Sequence, residues 1–303
     1  MSAQPFDPQS RVLIQGINEP LGAHYAAQMQ AYGTPVVAGT QPGWGGGEQA
    51  EIPVFDLVAQ AIEAVGPIET SLVFAHPYWV LDAALEAITA GIRQIVLVTG
   101  GVPPLDLVRL FRKAEATQTL LLGPGSAGTI RPNSALLGTS DPQFYQAGSV
   151  GIISRSNGLT NEVARQLSQA SLGQSLALNL GTDALYGSSF RHWLSVLEQD
   201  PDTKAIVLVG QPGSGDEEAA AAVAAELTKP VFAYVPGARV KINRRSGEAT
   251  AIVAARLSVP LPETSTAKQK VAALERAQVT VAKQPSQLPQ LLEKTLKERQ
   301  KKK

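Results

Sequence analysis

The sequence predicts an α/β protein of two domains, each built around a parallel sheet. The chain has 303 residues, and domains of about 100–200 residues make two the expected number. Short apolar runs alternate with amphipathic runs along most of the chain, which is typical of repeated strand–helix–strand units. The strand runs are apolar throughout, as expected for parallel strands that are buried on both faces of a sheet.

The first half of the chain contains apolar runs that predict strands, separated by amphipathic runs that predict helices. The predicted strands are Val12–Gln15, Pro35–Ala38, Leu72–Phe74, Gln94–Val98 and Leu120–Leu122. The predicted helices are Gly22–Ala31, Leu57–Ala64, Leu81–Ala90 and Leu105–Ala114. This order predicts a doubly wound, Rossmann-like domain over residues 1–140.

The polar stretch 141–149 predicts a linker, after which the alternation restarts and predicts a second open α/β domain over 150–303. Its predicted strands are Val150–Ile153, Leu176–Leu180, Ala205–Val209, Val231–Tyr234 and Val279–Ala282. Its predicted helices are Thr160–Gln169, Phe190–Leu197, Glu217–Leu227, Ala267–Arg276 and Pro289–Lys297. The loop 236–248 is too polar for a core, and long structured loops of this kind are often functional.

The composition excludes several classes of function. The 26 basic and 26 acidic residues balance, so the chain lacks the positive charge of a general nucleic-acid binder. Cysteine is absent, which excludes disulfides, thiolate metal sites and cysteine nucleophiles. The three histidines lie far apart in the sequence, which argues against a metal site.

No apolar stretch reaches the length of about 18 residues that suggests a membrane span, and the first residues do not resemble a secretory signal. The sequence therefore predicts a cytoplasmic protein. Residues 292–303 carry six basic and two acidic side chains. This basic C-terminal tail is typical of a solvated helix end, and a contact with an anionic surface or partner is the alternative.

The first candidate site is the segment Gly16–Gly22, directly after the first predicted strand. A glycine turn at a helix N-terminus can bind an anion, because free amides and the helix dipole point at it. The dinucleotide pattern GxGxxG is not met, and the second strand lacks the acidic residue that binds ribose in NAD sites. The alternative is a plain strand–helix turn in which Gly22 permits close packing.

Two other loops are candidate sites. The glycine-rich loop Gln41–Gly47 follows a strand and is either a ligand-binding loop or a flexible connection. In the second domain, Ser154, Arg155, Ser156, Asn157 and Gly158 lead into a predicted helix. This segment is either an anion cradle or an ordinary helix cap.

Taken together, these segments resemble the alpha subunit of succinyl-CoA synthetase (succinate–CoA ligase). The resemblance runs from about Arg11 to Leu296. It rests on short blocks in one order: Gln15-Gly16 with Gly22, Ala31–Thr34, Pro42-Gly43 with Gly45-Gly46, Pro53–Phe55, Leu85–Ile88 with Ala90–Ile92, Gly123-Pro124, Ser154–Ser156 with Leu159-Thr160, Gly187-Ser188 with Phe190, Asp200-Pro201, and Ala272–Glu275.

This resemblance implies a Rossmann-like CoA-binding domain, a flavodoxin-like ligase domain and a partner beta subunit with an ATP-grasp fold. It also implies a histidine that carries phosphate and a glutamate that orients it. Glu248 stands at the position of that histidine and Gln211 at the position of that glutamate. A carboxylate cannot replace an imidazole as a phosphoramidate carrier, so the catalytic pair of the family is not intact here.

The positions that match the CoA site of the family are Gly16, Asn18, Glu19, Gly22, Pro42 and Trp44. Glu19 would repel the phosphates of CoA, and Trp44 replaces a lysine of the family's loop. CoA is therefore expected to bind weakly or not at all. By contrast, Ser154 and Ser156 keep the family pattern, and we expect either a free anion or the Glu248 carboxylate at that cradle.

These observations support three hypotheses. The first is a ligase-like pseudoenzyme that has lost phosphohistidine transfer and serves as a binding, regulatory or structural subunit. The second is an active ADP-forming acyl-CoA ligase subunit with altered chemistry. The third is an unrelated nucleotide-dependent enzyme on this fold. The expected assembly is a heteromer, and no metal is required by this chain.

Overall fold

A computed structural model describes residues 5–211, 215–237 and 266–301. By their contacts within the chain, the residues form two compact units. The first unit contains the chain up to Ser140 together with Gly181–Ser188. The second unit contains Asp141–Leu180 and the chain from Ser189 onward.

The first unit is built around a sheet in the order β3-β4-β2-β1-β5-β6-β7. Its strands are β1 (Val12–Gln15), β2 (Val36–Thr40), β3 (Glu48–Gln49), β4 (Ile52–Phe55), β5 (Thr70–Val73), β6 (Gln94–Leu97) and β7 (Leu120–Leu122). Only the β3–β4 pair is antiparallel among these strand pairs. Because all four residues of β1 are buried, the centre of the sheet is covered on both faces, as parallel sheets require.

The helices of the first unit pack their apolar faces on this sheet. They are α1 (Pro20–Ala31), α2 (Val58–Val65), α3 (Val80–Thr89) and α4 (Pro104–Ala116). In α3 the buried residues Val80, Leu81, Ala84, Ala87 and Ile88 recur at three- and four-residue spacing, which places them on one face of the helix. An antiparallel hairpin of β8 (Gly128–Arg131) and β9 (Ala135–Gly138) follows β7.

The second unit repeats the architecture with parallel strands in the order β14-β13-β12-β10-β11. The strands are β10 (Ala147–Ser154), β11 (Gln174–Asn179), β12 (Ala205–Val209), β13 (Val231–Tyr234) and β14 (Thr280–Ala282). The helices are α5 (Asn157–Gln169), α6 (Phe190–Gln199), α7 (Asp216–Ala224), α8 (Ala267–Arg276) and α9 (Leu288–Gln300). Every residue of β12 is buried, so the core lies on both sides of its central strands.

This architecture confirms the α/β fold with two mainly parallel sheets that the sequence predicts. The helix and strand bounds differ from the predictions by a few residues at the ends, which is where prediction from patterns is least exact. The strands β3, β4, β8 and β9 were not predicted. They are two to four residues long, and Pro53 and Gly128 within them weaken a strand pattern.

The segment Gly181–Ser188 differs from the predicted division of the chain. The sequence places it in the second domain, but the structure groups it with the first unit. Asp183 Oδ2 accepts a hydrogen bond from the Gly101 amide at 2.8 Å, and the Gly187 amide donates to the Gly123 carbonyl at 2.9 Å. The first contact joins residues 82 positions apart and the second joins residues 64 positions apart, so no local pattern could have indicated them. The stretch 141–149 contains the start of β10 and a short 3-10 helix, Pro142–Phe144.

Candidate functional site

A cavity of about 570 Å³ opens at the carboxyl ends of β1, β2 and β5 in the first unit. Crevices outside the carboxyl ends of the strands are the usual ligand sites of open α/β sheets. The lining residues come from these strand ends, the segments that follow β2 and β4, the residue before α1, and α3 with the residue that precedes it: Gln15, Gly16, Glu19, Thr40, Gln41, Pro42, Asp56, Ala75, Trp79, Asp82, Ala83 and Glu86.

Two glycines shape the turn between β1 and α1. Gly16 has a φ of +80°, and a Cβ at this position would lie 2.8 Å from the Ala75 amide nitrogen. A Cβ on Gly22 would lie 2.1 Å from the Gly16 carbonyl oxygen. Both positions therefore require glycine, and Gly22 allows α1 to start close against the turn. Glu19 is the residue that precedes this helix.

The glycine-rich loop after β2 is held by a carboxylate of the chain itself. Asp56 Oδ1 accepts hydrogen bonds from the Gly43 amide at 2.7 Å and the Gly45 amide at 3.0 Å. Amides of a glycine-rich loop are the groups that would otherwise bind a phosphate. Between them, Trp44 is 62% exposed. Asp56 thus holds the middle of the loop on either side of Trp44, and the Trp44 side chain is exposed to solvent.

The cavity is rich in negative charge. Glu19, Asp56, Asp82 and Glu86 line it, and its described lining contains no lysine or arginine. Glu86 Oε1 accepts a hydrogen bond from the Val58 amide at 2.9 Å, at the start of α2. Like charges gathered in one partly enclosed site repel an anionic ligand. The electrostatics of this cavity therefore oppose a polyphosphate.

The structure brings together only part of the predicted CoA site. Gly16, Glu19 and Pro42 line the cavity, whereas Asn18, Gly22 and Trp44 do not. Gly22 acts through packing, as described above, and Trp44 points its exposed surface to solvent. Gln41 belongs to the candidate loop Gln41–Gly47 and also lines the cavity. The cavity residues that the sequence did not indicate are Gln15, Thr40, Asp56, Ala75, Trp79, Asp82, Ala83 and Glu86.

A second candidate site lies where β10 ends and α5 begins. Ser156 caps α5, and its side-chain oxygen accepts a hydrogen bond from the Leu159 amide at 3.4 Å. The Ser154 hydroxyl accepts from the Ser156 amide at 3.0 Å and donates to the Ser156 carbonyl. The two serines thus stabilise the start of the helix. Asn157 and Gly158 form its first turn. The observed contacts are those of a helix cap, and anion binding at this position stays a prediction.

Arg155 lies between β10 and the cap residue Ser156 in the sequence, and it is 2% exposed. Its Nε and Nη2 atoms donate to the side-chain oxygen of Gln211 at 3.3 and 3.1 Å. Its backbone amide donates to the Val209 carbonyl at 2.9 Å. The side-chain oxygen of Gln211 therefore binds a buried guanidinium, and the match of this residue to the family's orienting glutamate stays a prediction.

A buried ion pair fixes the backbone of Gln211. Lys270 Nζ lies 2.6 Å from Glu217 Oε2, and the two side chains are 0% and 1% exposed. The Gln211 amide donates to Glu217 Oε1 at 2.7 Å, and Lys270 Nζ donates to the Gln211 carbonyl oxygen. The pair thus binds both backbone polar groups of one residue, and it ties α7 and α8 to the end of β12.

Glu248 lies outside the described residues, so the predicted contact between its carboxylate and the α5 N-terminus stays a prediction. All three histidines are described. His24 lies on α1, His76 follows β5, and His192 is exposed on α6 with its ring edge against Trp193.

Comparison with known proteins agrees with this two-part architecture. Residues 7–101 match the CoA binding domain family, and residues 153–290 match the CoA-ligase family. The chain is 37% identical over 290 residues to succinate–CoA ligase [ADP-forming] subunit alpha 2 of Archaeoglobus fulgidus, covering 96% of this chain and 98% of the relative. The chain belongs to the family of succinate–CoA ligase alpha subunits.

Other members of this family are similarly close. The chain is 37% identical to the succinate–CoA ligase [ADP-forming] alpha subunit of Aquifex aeolicus, over 95% of this chain and 93% of the relative. It is 38% identical to the malate–CoA ligase alpha subunit of Methylorubrum extorquens, over 82% of this chain and 86% of the relative. The family therefore includes ligases named for different acids.

Among solved structures, the ATP citrate lyase of Methanothrix soehngenii, in complex with citrate and coenzyme A, has the same fold. It superposes with a TM-score of 0.78 at 20% identity, over 96% of this ligase-like chain. The chain spans about half of that protein, 51% of its length. At this identity the similarity establishes the fold alone.

The described residues contain no group of three or more histidine, aspartate or glutamate side chains that could hold a metal ion. Within the same described ranges, no helix is both long enough and apolar enough to cross a membrane. Three of the cavity residues missed from the sequence come after the buried strand β5: Ala75 lies two positions after its last residue, Trp79 six and Asp82 nine. Closeness to a strand end could therefore have indicated Ala75 but not Trp79 or Asp82.

Proposed function

We propose that this chain is an alpha-type subunit of an acid–CoA ligase assembly that does not carry phosphate on a histidine. The observation that carries the proposal is the hydrogen bond between Gln211 and the buried Arg155. A neutral amide occupies the position at which the family uses a carboxylate to orient the phosphorylated histidine. The sequence supplies no histidine at position 248 for it to orient.

The chemistry of the two substitutions supports the same conclusion. An imidazole accepts and releases a phosphoryl group near neutral pH because its nitrogen is a good nucleophile there. An amide such as Gln211 carries no charge with which to stabilise a phosphorylated imidazole. Since both members of the pair are changed, restoring one alone is not expected to restore phosphate transfer.

The partner that fits this role is a beta-like subunit with an ATP-grasp fold. The relatives are named as alpha subunits of ADP-forming ligases, and the match covers nearly all of the chain. In such an assembly the chain would bind its partner without relaying phosphate. Its role would then be to regulate or complete the assembly rather than to perform the phosphoryl step.

Binding of CoA at the first unit is proposed to be weak. Glu19 lines the cavity and no described lining residue is basic. Losing a charge-assisted contact costs about 1.5–3 kcal/mol, and two unfavourable changes together correspond to about 100-fold or more in affinity. A dissociation constant for CoA in the micromolar range, measured by calorimetry, would contradict this part of the proposal.

The decisive experiment is a phosphorylation assay with labelled ATP and the beta subunit of an ADP-forming relative. The wild-type chain is expected to gain no acid-labile, base-stable phosphate. The double variant Q211E/E248H, which restores both family residues, is expected to gain it. E248H alone is the matched control, because it supplies the imidazole without the orienting carboxylate. Phosphohistidine on the wild-type chain would overturn the proposal.

The second candidate function is an active ligase that uses Glu248 itself. The full-length match to succinate–CoA and malate–CoA ligases favours it. In this reaction a Glu248 oxygen would attack the terminal phosphorus of ATP, ADP would leave, and an acyl phosphate would form. Such an intermediate is sensitive to hydroxylamine and would be absent in E248Q. Labelled phosphate that hydroxylamine releases from the wild-type chain would therefore support this candidate instead.

A further inference from the structure

The buried ion pair between α7 and α8 contributes no group to the phosphate chemistry proposed for the second unit. Glu217 lies on α7 and Lys270 on α8, both side chains are buried, and Lys270 Nζ lies 2.6 Å from Glu217 Oε2. Moving two charges out of water costs free energy that their mutual attraction often does not recover. A buried pair is therefore weak evidence of added stability, and its other contacts are the better guide to its role.

Both members of the pair bind the backbone of Gln211. Glu217 Oε1 accepts a hydrogen bond from the Gln211 amide at 2.7 Å, and Lys270 Nζ donates to the Gln211 carbonyl oxygen. Gly210 leaves room for this contact, because a Cβ there would lie 2.8 Å from Glu217 Oε1. The Gly210 amide donates to the Tyr234 carbonyl of β13 at 2.9 Å. The backbone at positions 210 and 211 is therefore held from α7, α8 and β13.

The held backbone sets the direction of the Gln211 side chain. Because the backbone amide and carbonyl of Gln211 are both bound, its Cα–Cβ bond has one direction, and its side-chain oxygen reaches Arg155 Nε and Nη2 at 3.3 and 3.1 Å. Arg155 is itself buried, and hydrogen bonds to a charged group are stronger in such a medium of low dielectric. The contacts thus run in one chain from α8 to the residue before the cap of α5.

We propose that Lys270 and Glu217 are positioning residues, which act through the backbone of Gln211 to hold its side chain on Arg155. The inference deepens the proposed function and rests on it for one point, that position 211 orients the residue that carries phosphate in the family. Phosphate transfer restored at this site would therefore need the buried pair as well as a carboxylate at position 211.

The first test measures exchange with water at the Arg155 Nε–H group, by NMR on the full chain with isotope-labelled arginine. Loss of one signal in R155K assigns it. G210A adds a Cβ 2.8 Å from Glu217 Oε1, which displaces the end of a side chain and leaves both charges in place. We expect exchange at Arg155 to become about tenfold faster in G210A, as for the loss of a hydrogen bond. An unchanged rate would overturn the proposal.

The matched control is G215A, at the residue before α7. A Cβ there would meet no described atom within 4 Å, so exchange at Arg155 is expected to stay at the wild-type rate. Thermal unfolding of each variant verifies that it is folded. Equal acceleration in G210A and G215A would contradict the proposal, because any added methyl group beside α7 would then explain it.

Two double variants separate hydrogen bonding from charge. K270M/E217L and K270M/E217Q both remove the two charges, but only E217Q keeps a donor and an acceptor at that position. We expect exchange at Arg155 to be about tenfold faster in K270M/E217L and within about threefold of wild type in K270M/E217Q. Equal rates in the two proteins would overturn the proposal, because hydrogen bonds to Gln211 would then not position Arg155.

The second test measures phosphate transfer in the Q211E/E248H background, with labelled ATP and the beta subunit of an ADP-forming relative. Adding G210A is expected to lower the initial rate about tenfold, whereas adding G215A is expected to leave it unchanged. Equal rates would contradict the positioning role. A background that gains no phosphate would count against the proposed function alone, because exchange at Arg155 needs no phosphate and still decides this inference.

Discussion

The polar side chains of the two candidate sites differ in burial and in hydrogen bonding. In the second unit, Arg155, Gln211, Glu217 and Lys270 form one connected network in which each partner is buried or half-buried. In the first-unit cavity, Glu19 and Asp82 are lining residues, and no hydrogen bond or ion pair joins their side chains to another described residue. Both sites lie at the carboxyl ends of parallel strands, so topology does not explain the difference.

This difference predicts which property a substitution at each site should change. A buried network couples its members, so removing one group leaves another unpaired in a medium of low dielectric. A solvent-lined cavity leaves its groups hydrated, so removing one changes ligand affinity more than stability. We therefore expect substitutions in the second-unit network to change the free energy of unfolding, and substitutions at the first-unit cavity to change ligand affinity.

The largest expected effect is at the buried ion pair. Replacing Lys270 by Met leaves Glu217 as an uncompensated buried charge, and we expect the free energy of unfolding to fall by about 3–5 kcal/mol. Urea denaturation measures this change. The matched control is K297M, because Lys297 forms an exposed pair with Glu293 at 3.0 Å and should contribute at most about 0.5 kcal/mol. Similar losses in both variants would remove the distinction between the two kinds of site.

The next effect concerns CoA at the first unit. The double variant E19Q/W44K removes a carboxylate from the cavity and restores the lysine of the family's loop. We expect affinity for CoA to rise about 100-fold, from the sum of two charge effects. Calorimetry measures it, with E63Q/W44F as a control that changes an exposed glutamate and keeps an aromatic ring. Unchanged affinity would show that these two positions do not control CoA binding.

A pair of glutamine variants compares the sites directly. Q211L removes the acceptor of two hydrogen bonds from buried Arg155, and we expect a loss of about 1–3 kcal/mol in unfolding free energy. Q41L removes an oxygen that has no partner among the described residues, and we expect stability to change little or to rise. Chemical denaturation of both variants measures the two changes in unfolding free energy. A larger loss in Q41L would reverse the comparison.

The smallest expected effect is a pH dependence at Glu198. Burial opposes ionisation of this carboxyl, yet hydrogen bonds from Thr228 and Lys229 outweigh it and hold its pKa below the ordinary 4.5. Because the folded pKa is the lower one, the ionised group stabilises the fold above pH 4.5, and this stability is lost as the pH falls through the folded pKa. E198Q should show a flatter profile at acid pH than the wild type or E226Q, which changes an exposed glutamate.

Much of the fold was predictable because it depends on local patterns. The buried strands β1, β10 and β12 are continuous apolar runs, and burial on both faces leaves no other composition open to them. The helices followed from three- and four-residue apolar spacing. The short strands β4 and β8 were missed, because pairing with a neighbour, rather than their own composition, places them in a sheet.

The sites were predictable only where a residue lies next to a strand end in the sequence. Glu19, Pro42 and Ser156 lie two to four positions after the ends of β1, β2 and β10, and the sequence named them as candidates. Trp79 and Asp82 reach the same cavity from a different strand, and the sequence contains no measure of that distance. The partners of Arg155 and Gln211 are likewise remote, since Lys270 lies 59 positions from Gln211.

By itself, the sequence determined the order of strands and helices and the family, because these depend on residue identity and local periodicity. Only the tertiary structure decided that Gln211 binds Arg155, that a buried ion pair holds its backbone, and that four acidic residues remote in sequence share one cavity with Trp79. The physical reason is that hydrogen bonding and electrostatics act over a few ångströms in space, whatever the separation along the chain.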